Sequence, residues 1–67
     1  MTVVLPKDLR SEEICFKRSR EWFRERGIPW SDVRNGLVTA DFLEATGDEN
    51  AIRAAKAARA REALERG

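Results

Sequence analysis

Large apolar residues fall in short clusters, most of them set off by single glycines. The clusters are Cys15 to Phe23, Gly27-Ile28-Pro29-Trp30, Gly36-Leu37-Val38, and Phe42-Leu43 ahead of Thr46-Gly47-Asp48. Within the first, Cys15, Ser19, Trp22 and Phe23 recur at i, i+4, i+7 and i+8, the period of one buried helix face, with Ile14 at its flank. Ser11 can cap this helix, Glu12 and Glu13 suit its electropositive first turn, and Arg24 and Arg26 suit its far end before Gly27. The pattern predicts a long helix over 12–26, stopped by Gly27 in a left-handed turn with Ile28 folding back as the accompanying apolar contact.

Pro29 excludes Ile28 from helical geometry, so the chain restarts at a new angle near Trp30. Ser31 or Asp32 can cap a short helix that ends at Asn35-Gly36. Thr39 can cap a second one with Phe42 and Leu43 on its buried side. Thr46 followed by Glu49 fits a capping box, and Asp48 offers another start for a last helix over about 48–66. That helix is rich in Ala, Arg, Lys and Glu, all strong helix formers, and would extend about 28 Å. Ala51, Ile52, Ala54, Ala55 and Ala58 give it a smooth packing face; beyond Ala58 only Leu64 is large and apolar, so its end is expected to be solvated or to dock on a partner.

The expected fold is therefore all-α: one long N-terminal helix, two short helices and a long Ala/Arg-rich C-terminal helix. A short extended arm, Val3-Val4-Leu5 before Pro6, precedes them and is expected to lie across the helices, with addition of an edge to a partner's sheet as the alternative. Residues 1–67 form one small domain, with an arm over 1–8, a packed core over 9–58 and a solvated or partner-docking helix end over 59–67. The expected core is Cys15, Trp22, Phe23, Ile28, Trp30, Leu37, Phe42, Leu43 and Ile52.

A domain of 67 residues buries too little surface to be robust without help. The usual staples are missing from the sequence, because Cys15 is the sole cysteine and there is no histidine. The same composition removes the commonest catalytic base and any Cys/His zinc site. Asp41, Glu44, Asp48 and Glu49 cluster in sequence, but at helix N-termini, where carboxylates serve as caps, and without calcium-loop spacing. No catalytic, metal or cofactor residue is assigned, and a non-enzymatic protein is expected. No run of apolar residues is long enough for a membrane span, and Met1 to Pro6 lacks the form of a signal peptide, so a non-secreted protein without a membrane partner is expected.

Net charge is +1, from 13 basic and 12 acidic residues, but its distribution is uneven. Residues 1–30 carry seven positive and five negative charges, 31–50 one and five, and 51–67 five and two. A basic–acidic–basic order favours head-to-tail or antiparallel association at least as readily as a nucleic-acid face. Two short helices joined at Gly36 invite a helix-turn-helix reading, yet the second would read Ala40-Asp41-Phe42-Leu43-Glu44-Ala45 and be repelled by phosphates. Lys56, Arg59 and Arg66 could form a basic stripe on the last helix, and Lys17, Arg18, Arg20, Arg24 and Arg26 decorate the first long one. Interleaved glutamates make solvated faces the plainer account.

The set Leu9-Arg10, Cys15, Arg20, Trp22-Phe23, Gly27-Ile28, Trp30, Gly36-Leu37, Leu43, Ala45-Thr46-Gly47-Asp48 and Ala51 resembles small uncharacterised proteins encoded among the structural genes of tailed phages and prophages. The likeness covers roughly residues 9–55; Arg18 departs from it, standing where a glycine is expected. It implies a role in particle assembly or as a minor virion component, located in the virion or host cytoplasm, and carries over no catalytic or ligand residue. The expected function is protein–protein contact with other phage structural proteins or with further copies of itself. The contact candidates are Val3, Val4, Leu5, Arg53, Lys56, Arg59 and Arg66. The alternative is a small regulator that binds nucleic acid or a host protein through its basic helix faces.

Overall fold

The computed structural model describes residues 1–66. Five helices follow in order: α1 (Pro6–Ser11), α2 (Phe16–Glu25), α3 (Trp30–Arg34), α4 (Ala40–Thr46) and α5 (Glu49–Arg66). This corrects the expected architecture, because the chain opens on a helix of six residues and not on one long helix. Pro6 occupies the first helical position, where its missing N–H costs nothing, and Asp8 accepts the Leu5 N–H at 2.8 Å. Ser11 lies inside α1 and donates to the Asp8 carbonyl at 2.9 Å, so it is not the cap expected for α2.

The break between α1 and α2 is a Schellman turn. Glu13 N–H bonds Arg10 O at 3.0 Å, Ile14 N–H bonds Leu9 O at 3.0 Å, and Glu13 takes a φ of +57°. The same pair of bonds closes α2, from Gly27 to Arg24 and Ile28 to Phe23, and α3, from Gly36 to Val33 and Leu37 to Asp32. In these three turns the left-handed position is glycine twice, which the sequence pattern marks, and glutamate once, which it does not. That hidden stop is why a single helix over 12–26 was expected.

α4 starts as expected, with Thr39 Oγ1 accepting the Phe42 N–H at 3.1 Å. α5 is capped by Asp48, whose Oδ2 accepts the Ala51 N–H at 2.9 Å. Thr46 ends α4 and donates to the Leu43 carbonyl, so the Thr46–Glu49 box does not form.

The core gathers Val4, Leu9, Phe23, Val33, Val38, Ala40 and Leu43 against Ala51, Ala54, Ala55 and Ala58 of α5. Alanines at this seam let α4 and α1 approach the α5 backbone closely. Leu43, Val4 and Val33 are the largest side chains fully enclosed, each contributing about 1.5–3 kcal/mol of apolar burial. Phe23 is buried at the centre of an aromatic cluster, 5.0 Å edge-on to Trp22 and 6.2 Å from Trp30, which in turn lies 5.5 Å from Phe16.

Four expected core positions are corrected. Cys15 is exposed because the chain turns at Glu13 and leaves it at the N-cap of α2 instead of on the inner stripe. Leu37 is 67 % exposed: the chain between α3 and α4 is extended, neighbours point to opposite sides, and Val38 takes the inward one. Phe42 is 40 % exposed, since Ala40 and Leu43 set the inner face of α4. Ile52 is half-buried, while the alanines around it are enclosed. Trp22, Ile28 and Trp30 are half-buried and pack against the core.

The N-terminal segment is a structural member. Val4 N–H bonds Val38 O at 2.8 Å, Ala40 N–H bonds Thr2 O at 2.9 Å, and Val3 bridges Thr39 in antiparallel fashion. Among the described residues this isolated bridge is the only β pairing, and no strand forms. No described helix is long and apolar enough to cross a membrane.

Candidate interaction surface

Of the N-terminal contact candidates, Val4 is fully buried within the chain, and Val3 and Leu5 are half-buried. Val4 therefore offers no surface to a partner in this structure. Removal of residues 1–6 would take out a core side chain and the pairing with Val38 and Ala40.

The C-terminal candidates fare differently from one another. Arg53 donates to the Glu12 carbonyl at 2.8 Å and pairs with the Glu12 carboxylate at 3.4 Å, which ties α5 to the end of α1. Arg59 pairs with Asp41 and Glu44, both at 2.6 Å, and locks α4 to α5. The hydrogen bond from Arg59 holds Glu44 below its usual carboxylate range, while Glu44 and then Asp41 raise the guanidinium. Arg66 pairs with Glu62 on its own helix at 2.9 Å. Lys56 is exposed and, among the described residues, has no carboxylate within ion-pair distance. The supposed basic stripe of α5 is thus largely consumed by the fold. Residue 67, the end of the segment expected to be solvated or to dock, lies outside the described residues.

Arg61 and Asp8, which the sequence pattern did not single out, form the most enclosed ion pair. Arg61 Nε donates to Asp8 Oδ1 at 2.9 Å, and its terminal nitrogen to Asp8 Oδ2 at 3.2 Å and to the Val3 carbonyl at 3.0 Å. The Asp8 side chain is 3 % exposed and that of Arg61 19 %. Hydrogen bonding to Asp8 raises the Arg61 guanidinium above its ordinary value. This clamp carries the second half of α5 back onto α1 and the N-terminal segment.

Cations without such partners collect elsewhere. Among the described residues Arg10, Lys17, Arg18, Arg20, Arg24, Arg26 and Arg34 take part in no ion pair. Five of these lie on or just after α2, and three rest on aromatic rings: Arg10 over Phe16 at 5.6 Å, Arg20 over Trp30 at 5.3 Å and Arg26 over Trp22 at 3.7 Å. Such contacts contribute about 0.5–1 kcal/mol at exposed sites; Arg26 also donates to the Trp22 carbonyl at 3.0 Å. An open groove of about 730 Å³ runs between α2 and α3, lined by Lys17, Arg20 and Arg24 together with Phe16, Ile28 and Trp30. Glu21 also lines it.

A smaller, more enclosed cleft of about 210 Å³ lies where α2 meets α4 and α5, walled by Leu9, Ile14, Trp22, Phe23, Leu43 and Ala51 with Arg18, Asp48 and Asn50 as its charged and polar lining. It is smaller than the typical cofactor site of about 300–1,000 Å³. Near it Cys15 is held below its ordinary thiol value by the backbone N–H groups of Arg18 and then Lys17, at the start of α2. Among the described residues no three carboxylates or thiols converge to hold a metal ion.

No protein-family model, curated protein or solved structure matches the chain.

Proposed function

We propose that the protein works by contact, as a small non-enzymatic component of phage particle assembly or a minor virion component. The observation that carries the contact reading is the division of its surface. The four arginines of α5 are closed onto carboxylates of the same chain, leaving only Lys56 unpaired there among the described residues, whereas Lys17, Arg20 and Arg24 of α2 stand unpaired around an aromatic groove. Arginine and tryptophan side by side on a concave surface are the residues that dominate binding energy at protein interfaces. The phage assignment rests on the resemblance across residues 9–55.

The test is mass spectrometry of particles and assembly intermediates purified from infected cells. The protein is expected in at least one of these fractions at a fixed ratio to a structural protein, and its absence from all of them would refute the role in assembly. Binding to nucleic acid through the basic faces is the second reading, favoured by the same unpaired cations. Glu21 and Glu25 on α2 interrupt the positive track that phosphates need, so it stands behind the first.

A further inference from the structure

The groove between α2 and α3 is positively charged and aromatic, and the chain contains its complement. From Asn35 to Ile52 there is no lysine or arginine, while Asp41, Glu44, Asp48 and Glu49 are all acidic. Arg59 offsets one of these four charges. The same stretch carries two of the most exposed large apolar side chains, Leu37 and Phe42. Asp41 keeps its side chain 77 % exposed even while paired with Arg59, so a second cation can reach it. Asp41 and Glu44 stand one helical turn apart, the separation of Lys17 from Arg20 and of Arg20 from Arg24.

These two surfaces cannot meet within one chain. α4 packs on α5, and none of its residues lines the groove. We infer that α4 of a second copy seats in the α2–α3 groove, with Phe42 against Phe16 and Trp30 and the Asp41–Glu44 edge against Lys17, Arg20 and Arg24. The proposal rests on the reading of the chain as a contact protein and names its partner as itself. Because the two surfaces differ, the contact is heterologous: each copy offers a groove to one neighbour and an α4 to another, which builds a ring or an open chain. Phe42 supplies an apolar anchor and a ring–ring contact, and the charges set direction. A seven-residue helix covers a small area, so the contact is weak, micromolar or weaker, and becomes effective where copies are held at high local concentration.

Two variants of the full chain test it. Arg20→Glu/Arg24→Glu spoils the groove and keeps α4; Phe42→Lys spoils the α4 face and keeps the groove. Light scattering after size exclusion at low salt is expected to show concentration-dependent association of the wild type. Each variant alone should lose at least tenfold in association constant, and the mixture of the two should form a 1:1 heterodimer that cannot grow. Circular dichroism checks that each is folded, and Ala45→Lys, at an exposed position on α4, replaces Phe42→Lys if that chain is not. A wild type that stays monomeric at concentrations on the order of 1 mM overturns the proposal, as does a mixture that gives no heterodimer. A monomer that instead shifts on short duplex DNA, with affinity falling steeply in salt, gives the groove to nucleic acid and equally overturns it. Particle content is read separately: a monomer found in particles ends this inference and spares the assembly role, and association without incorporation does the reverse.

Discussion

Replacing Arg61 with alanine removes four hydrogen bonds at once, two to Asp8, one to the Val3 carbonyl and one to Glu65, and leaves the Asp8 carboxylate, 3 % exposed, with only the Leu5 N–H as partner. Removing one member of a fully buried ion pair costs about 3–5 kcal/mol, because the remaining charge has lost both its partner and its water. Arg61 is itself 19 % exposed, so some solvent can reach the vacated site, and a loss of about 2–4 kcal/mol is expected. A chain of this size holds roughly 3–10 kcal/mol of stability in total, so this one substitution removes a large share of it. At about 6 °C per kcal/mol, Tm should fall by about 12–24 °C. Thermal and urea unfolding followed by circular dichroism measure it, with Arg66→Ala as the control. That arginine makes an exposed pair with Glu62, and its loss should cost no more than about 0.5 kcal/mol. The double variant Asp8→Leu/Arg61→Met should recover much of the loss, since apolar side chains of similar size can replace a buried pair. An Arg61→Ala chain within about 1 kcal/mol of Arg66→Ala would refute the clamp.

Val4→Ala empties a fully enclosed site and should cost about 2–3 kcal/mol in urea unfolding; a neutral result would return the N-terminal segment to the surface. Glu13→Gly relieves the one left-handed non-glycine residue and should stabilise by about 1 kcal/mol, read as a higher urea midpoint at unchanged slope. Cys15 should react with iodoacetamide in the folded protein with a pH midpoint below that of the urea-unfolded chain. Because the folded state favours the thiolate, its small contribution to stability is absent at low pH and complete above the thiol value of the unfolded chain. Coincident midpoints would remove the helix-start effect.

Legibility in the sequence tracked the range of the interaction. Gly27, Gly36, Thr39 and Asp48 act within four residues of themselves, and the stops and caps assigned to them are found in the structure. Glu13 carries out the same backbone task as Gly27 without the residue type that signals it, which is how a helix was expected to start at residue 12, where α1 has just ended, and not at Phe16. Val3-Val4-Leu5 carries no local mark of burial, since its partners Val38 and Ala40 lie more than thirty residues away. The pattern placed Phe23 and Leu43 inside but misjudged Cys15, where the helix begins later than implied, Leu37, where Val38 takes the inward side of an extended segment, and Phe42, where Ala40 and Leu43 set the inner face of a helix that starts as expected.

The proposed contact surface was the least legible part. Basic residues on α2 and α5 look alike in composition, and only the folded chain shows which have carboxylates opposite them. Arg53, Arg59 and Arg66, expected to face a partner, are held by Glu12, Asp41, Glu44 and Glu62. Arg61 pairs with Asp8 across 53 positions, a distance no spacing rule reaches. Lys17, Arg20 and Arg24 are left over, and their place beside Trp30 and Phe16 turns a solvated-looking helix face into a groove.

The central claim is that this groove and the α4 face are complementary surfaces of one self-associating chain. Light scattering of the wild-type protein across a concentration series, at low and at high salt, tests it most directly. The mass should rise with concentration at low salt and fall back toward a single chain of 7.7 kDa as salt is added. A mass fixed at one chain under every condition would contradict it.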